Sequence, residues 1–73
     1  MRLSEFHRAV RDEFGEVNGV ILTRDLWLTD FAATADEALD RGVSPAAVWE
    51  ALCNEMRVPH SRRYGRGLLE PRD

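Results

Sequence analysis

The chain has 73 residues, of which 44% are hydrophobic, and its formal net charge at pH 7 is −3. This composition indicates one small folded domain, and it excludes a disordered chain, a membrane span and, with Cys53 as the single cysteine, an intrachain disulfide. The opening residues carry charges and lack the apolar core of a signal peptide, so we expect a soluble cytoplasmic protein.

The charge is divided unevenly along the chain. Residues 1–58 contain six Arg against eleven Asp and Glu, whereas residues 59–73 contain four Arg against two acids. An acidic body repels nucleic acid, while a short basic segment attracts it. Four residues of that segment form a candidate nucleic-acid or anion site: Arg62, Arg63, Tyr64 and Arg66. The guanidinium groups can hold phosphates, and the tyrosine ring can stack on a base. The alternative is a solvated tail without a function of its own.

The first predicted helix begins near Ser4, whose hydroxyl can cap a free backbone N–H. Glu5 then lies in the first turn, where the helix dipole favours an anion. Gly15 ends the helix. The buried stripe repeats every four residues and consists of Phe6, Val10 and Phe14.

Residues 17–31 are the most apolar part of the chain and predict a central helix. One of its faces, with Trp27 at the edge, consists of Val17, Val20, Ile21, Leu28 and Phe31. Leu22 and Leu26 lie on the opposite face, and two apolar faces indicate a helix that is packed on both sides. We expect the first face against the core, and we predict that Leu22 and Leu26, with Trp27 at the margin, bind a partner. The alternative is that the last helix buries both leucines.

Two features interrupt this central segment. Gly19 weakens a helix by ~1 kcal/mol relative to Ala unless another helix passes close by at that point. The polar run Thr23-Arg24-Asp25 leaves open a kink or a new cap at Thr23 or Asp25.

The next two helices carry clear start and stop signals. Thr34 and Glu37 form a capping box, and Gly42 ends the short third helix. The fourth begins with Ser44 as N-cap and Pro45 in the first position, and it ends before Val58-Pro59. Its apolar stripe, in which we expect Trp49 to be a core residue, is Val48, Trp49, Leu52, Cys53 and Met56. We predict a helical domain over residues 1–59 and a flexible Arg-containing tail over residues 60–73.

Residues 34–56 also invite comparison with a DNA-binding helix-turn-helix, with Gly42 in the turn. Glu50 and Glu55 would then face the groove and oppose phosphate contacts, so a simple corner between two helices is the favoured interpretation. The two His and Cys53 have no spacing typical of a zinc site, and no phosphate loop or nucleophile–base pair is visible. We expect no enzyme activity, no metal and no cofactor.

Several of these residues resemble a family of short actinobacterial proteins catalogued as a domain of unknown function. The most specific part is the run GV-x-P-x-x-VW-x-ALC over residues 42–53, followed by Val58-Pro59. The resemblance covers residues 1 to about 63, and residues 31–35 depart from the glycine-containing loop expected there. It implies a small all-helical protein, often encoded near a RecA-type recombinase and its RecX-type regulator, and supplies no activity or ligand.

Together these observations predict an all-α fold, a compact bundle of four short helices with the second helix central and a flexible C-terminal tail. The predicted function is a non-enzymatic module that binds a protein partner of unknown identity, as a monomer or weak homodimer without membrane contact. The alternative is a nucleic-acid-associated protein that uses the corner at residues 34–56 or the Arg tail.

Overall fold

The computed structural model describes residues 1–63, which form a mostly helical globule with one small antiparallel hairpin. The elements in chain order are α1 (Leu3–Phe14), α2 (Glu16–Asp25), β1 (Trp27–Leu28), β2 (Ala33–Thr34), α3 (Ala35–Asp40), α4 (Pro45–Met56) and α5 (His60–Arg63). The predicted count of four helices was therefore wrong for this part of the chain, because a two-stranded hairpin and a short fifth helix are present.

The core lies between α1 and α4, with β1 closing one side. The predicted stripe of α1 is only partly correct, since Phe6 and Val10 are buried while Phe14 is half-buried at the edge. Trp49 is a core residue as predicted, and Phe6 packs edge-to-face against it with ring centroids 6.4 Å apart. The largest fully buried side chains are Trp49, Phe6, Leu28, Leu52, Val48 and Cys53.

The start signals of α3 and α4 act as predicted. Thr34 donates its backbone N–H to the Glu37 carboxylate over 3.0 Å and accepts from the Glu37 N–H over 3.3 Å, which completes the capping box. The Ser44 hydroxyl accepts from the N–H of Ala47 at 3.2 Å. Gly42 has a φ of +93° and ends α3. At α1 the expected cap was wrong: the helix begins at Leu3, because Glu5 accepts from the Arg2 backbone N–H at 2.6 Å.

The long central helix predicted over residues 17–31 was wrong, because α2 ends at Asp25. The polar run 23–25 marks this end, and the chain then turns into the hairpin, in which Trp27 pairs with Thr34 and Leu28 with Ala33. Leu28 is fully buried while Trp27 is exposed, so the two residues alternate between core and solvent as strand residues do.

The expected tail starting at residue 60 also differs from the structure. His60–Arg63 form α5, and Arg63 is buried against α4. The physical reason is that the buried indole N–H of Trp49 needs an acceptor, and the Arg63 carbonyl supplies it at 2.6 Å.

Candidate interaction surface

The outer face of α2 consists of Val17, Val20 and Ile21, which are 74%, 57% and 43% exposed. These three residues follow the i, i+3, i+4 spacing of one helix face. In the sequence they were assigned to the core, and that assignment was wrong. An apolar ridge of just over one helical turn therefore points away from the domain.

The two buried residues of α2 are small. These residues are Gly19 and Thr23, and the Thr23 hydroxyl donates to the Val20 carbonyl at 3.2 Å. A Cβ on Gly19 would lie 2.8 Å from the Cγ1 of Val10, so α1 crosses α2 at this point with no room for a larger side chain. The close approach of another helix, which the sequence left open at Gly19, is present, and it turns the side of α2 that contains Gly19 toward α1.

The predicted partner-binding residues occupy two different environments. Leu22 and Leu26 are partly buried and pack against the core cluster. Trp27 is 54% exposed on β1. The exposed apolar face of α2 therefore lies opposite the face of Leu22 and Leu26, and partner binding by Leu22, Leu26 and Trp27 stays a prediction. The signal that could have revealed this is the spacing of Gly19 and Thr23, since two small residues four apart favour close packing on their own side.

Opposite charges lie at the two ends of the outer face of α2. Glu16 is exposed in the first turn of the helix, and Arg24 is exposed in the last. The Arg24 guanidinium bonds both Asp25 carboxylate oxygens at 3.2 and 3.3 Å, and this hydrogen bonding raises the pKa of Arg24. Each charge sits at the helix end that its sign stabilises.

A shallow groove of about 180 Å³ borders the outer face on the α1 side. Val20 belongs to both surfaces, and the opposite wall carries His7 and Arg11. His7 and Arg11 of α1 share this groove with Glu16 and Thr23 of α2. The groove therefore places polar side chains of α1 beside the apolar outer face of α2.

The predicted anion-binding arginines that the structure describes are engaged with the body of the domain. Arg62 donates to the Glu13 carboxylate through Nη2 at 2.9 Å. Arg63 donates to the Val58 carbonyl, to Glu50 and to Asn54 at 3.0, 2.9 and 2.8 Å. Tyr64 and Arg66 lie outside the described residues. Two of the four predicted residues thus hold α5 in place.

A family model whose description is "Protein of unknown function (DUF3046)" matches residues 1–61. The chain belongs to this family. The match includes α1 to α4, both strands and the first two residues of α5. Comparison of the chain with curated proteins and with solved structures finds no match.

The cysteine of this DUF3046 domain, Cys53, is buried in the C-terminal half of α4. Burial raises the pKa of Cys53 to about 12, which keeps the thiol protonated and unreactive at neutral pH. Within residues 1–63, no three His, Cys, Asp or Glu side chains are placed where they could hold a metal ion. Cys53 therefore acts as a small apolar core residue.

The α3–α4 corner of the DUF3046 domain presents acidic side chains that contact neighbouring elements. Glu50 bonds Arg63, and Glu55 accepts from the Thr29 hydroxyl at 2.7 Å. Arg41 donates to the Phe31 carbonyl at 3.2 Å. Through these contacts, charged side chains of the corner bond to the loop of the hairpin and to α5. None of the helices in residues 1–63 has the length and apolarity needed to cross a membrane.

Proposed function

We propose that this protein is a non-enzymatic interaction module that binds a protein partner through the outer face of α2. The observation that carries the proposal is the exposure of Val17, at 74% the highest among the large hydrophobic residues of the described chain, beside exposed Val20 and Ile21. A chain of 73 residues needs most of its apolar side chains to form its own core. Three branched aliphatic side chains left outside on one helix face are therefore typical of a binding site.

The shape of the surface supports a helical or groove-like partner. Anchors at i, i+3 and i+4 are the pattern by which an amphipathic helix enters an apolar groove. Trp27 follows the end of α2 by two residues and is retained in the proposal as a second contact. Leu22 and Leu26 face the core and are assigned to stability instead.

The alternative, nucleic-acid association through the Arg segment or the α3–α4 corner, has less support. Arg62 and Arg63 form ion pairs with Glu13 and Glu50, and the Arg63 side chain is buried, so it is not accessible to a phosphate. The surface of the corner is acidic at Glu50 and Glu55, which opposes contact with phosphates.

The resemblance to short actinobacterial proteins suggests two candidate partners. An actinobacterial, cytoplasmic protein encoded near a RecA-type recombinase and a RecX-type regulator would meet those two proteins in the cell. They are therefore the first candidates to be offered to the outer face of α2.

Site-specific photo-crosslinking tests the proposal. A benzophenone amino acid is placed at Val17 of the full chain, with a control probe at exposed Ala46 on α4. We expect an adduct of one defined mass from native extract or with an offered candidate, formed at position 17 only. Ile21→Glu should abolish the adduct, while Met56→Glu, at an equally exposed apolar residue of α4, should preserve it. Equal adducts at both probe positions, or an adduct insensitive to Ile21→Glu, would contradict the proposal.

A further inference from the structure

The outer face of α2 has the properties of a self-complementary surface. Val20 lies near the middle of α2, with Ile21 beside it, and the two helix ends carry Glu16 and Arg24. Glu16 and Arg24 are eight residues apart and lie within a quarter turn of one another around the helix. If two α2 helices are related by a two-fold axis that passes beside Val20, Glu16 of each helix therefore lies level with Arg24 of the other.

We propose that the outer face of α2 binds a second copy of this chain, with the two α2 helices antiparallel. This inference rests on the proposed function, because it names an occupant for the same face. Val20 of one copy packs against Val20 of the second with Ile21 of each copy alongside, and Glu16 of each copy meets Arg24 of the other. Two isologous sets of contacts form, as a two-fold dimer requires.

The electrostatics favour the antiparallel arrangement over the parallel one. Antiparallel helices place the positive N-terminal end of one dipole beside the negative C-terminal end of the other. Asp25 engages Nε and Nη2 of Arg24, so its bidentate bond leaves Nη1 unused by that carboxylate. In the parallel arrangement, Glu16 would face Glu16 and Arg24 would face Arg24, and like charges in contact are unfavourable.

The size of the surface sets the strength of the dimer. A ridge of three aliphatic side chains is far smaller than the ~800 Å² that each partner buries in a stable complex. The dissociation constant is therefore expected on the order of 0.1–1 mM, a range in which another protein can displace the second copy.

A charge-exchange experiment on the full chain tests the dimer. Glu16→Arg and Arg24→Glu are prepared separately, and self-association is followed by sedimentation equilibrium and by concentration-dependent amide shifts up to about 1 mM. Each variant alone places like charges at both contacts. We therefore expect its association constant for dimerisation to be lower than that of the wild type by about fivefold or more. A 1:1 mixture restores two Glu–Arg contacts in the mixed dimer and should recover wild-type association.

The outcomes separate this inference from the proposed function. Shifts in wild type that are confined to α2, together with rescue in the mixture, support the dimer. A wild-type chain that stays monomeric, or a mixture that associates no better than either variant, overturns it. If the monomer still forms the Val17 adduct with another protein, the dimer fails while the proposed function stands. If Ile21→Glu alters neither the association nor the adduct, both fail.

Discussion

The indole N–H of Trp49 donates a hydrogen bond to the main-chain carbonyl of Arg63 across 2.6 Å. The Arg63 side chain then returns to α4, where Nη1 bonds the Asn54 side chain at 2.8 Å and Nε bonds the Val58 carbonyl at 3.0 Å. Arg63 is only 5% exposed, and a buried guanidinium is tolerated when its donors are bonded. The folded unit therefore extends beyond Val58-Pro59 to at least Arg63.

Arg63→Ala should lower the free energy of unfolding by about 2–3 kcal/mol, because it removes charge-assisted hydrogen bonds from a buried site. Arg62→Ala is the matched control. Its ion pair with Glu13 at 2.9 Å joins an arginine side chain that is 59% exposed and a glutamate side chain that is 16% exposed, so its loss should cost about 1 kcal/mol. Denaturant unfolding of the two variants measures both values. Equal losses for the two neighbouring arginines would show that the buried hydrogen bonds of Arg63 stabilise the fold no more than the ion pair of Arg62 does.

Gly19→Ala should destabilise the protein even though alanine is the better helix former. The new Cβ would lie 2.8 Å from the Val10 Cγ1, and overpacking a tight contact costs about 1–3 kcal/mol, more than the ~1 kcal/mol gained in helix propensity. In a Val10→Ala background the clash is absent, and the same change should be neutral or stabilising. Thermal melts of the double-mutant cycle decide this. Destabilisation of the same size in both backgrounds would exclude the contact with Val10 as its cause.

The sequence was most informative where a local signal acts alone. The Thr34–Glu37 box and the Ser44 cap need only side chains three residues apart, and both are present as predicted. The end of α2 was missed because strands of two residues are too short to show alternation. The apolar run at residues 26–28 therefore resembled a continuation of α2 beyond the polar run at 23–25, which left open a kink or a new cap and did not indicate a strand.

The orientation of α2 was missed for a different reason. Hydrophobic periodicity assigns the bulkier face to the core, and here the face with Val17, Val20 and Ile21 is bulkier. Contact with α1 selected the opposite face, because Gly19 allows an approach that no larger residue permits. Arg63 had no local signal at all, since its role depends on an indole 14 residues away in the chain.

Cys53 should make the protein less stable at alkaline pH. Its pKa is about 12 in the folded state against an ordinary value of 9.0, so above pH 9 the unfolded chain loses the thiol proton while the folded chain keeps it. Stability from this group is fully present below pH 9 and falls by up to about 1.4 kcal/mol per pH unit as the pH rises toward 12. Cys53→Ala should remove this slope. Parallel pH profiles of unfolding free energy for wild type and variant would contradict the burial of the thiol.

The most direct test of the central claim, that the outer face of α2 is a surface the fold does not need, compares one substitution at two adjacent residues. Ile21→Glu replaces a residue on the outer face, and Leu22→Glu replaces its neighbour packed against the core. Thermal unfolding followed by circular dichroism should show a loss below about 1 kcal/mol for Ile21→Glu. Leu22→Glu should lose about 3 kcal/mol or more, because it removes packing and buries a carboxylate. Unfolding by Ile21→Glu with a stable Leu22→Glu protein would place the outer face in the core and contradict the account.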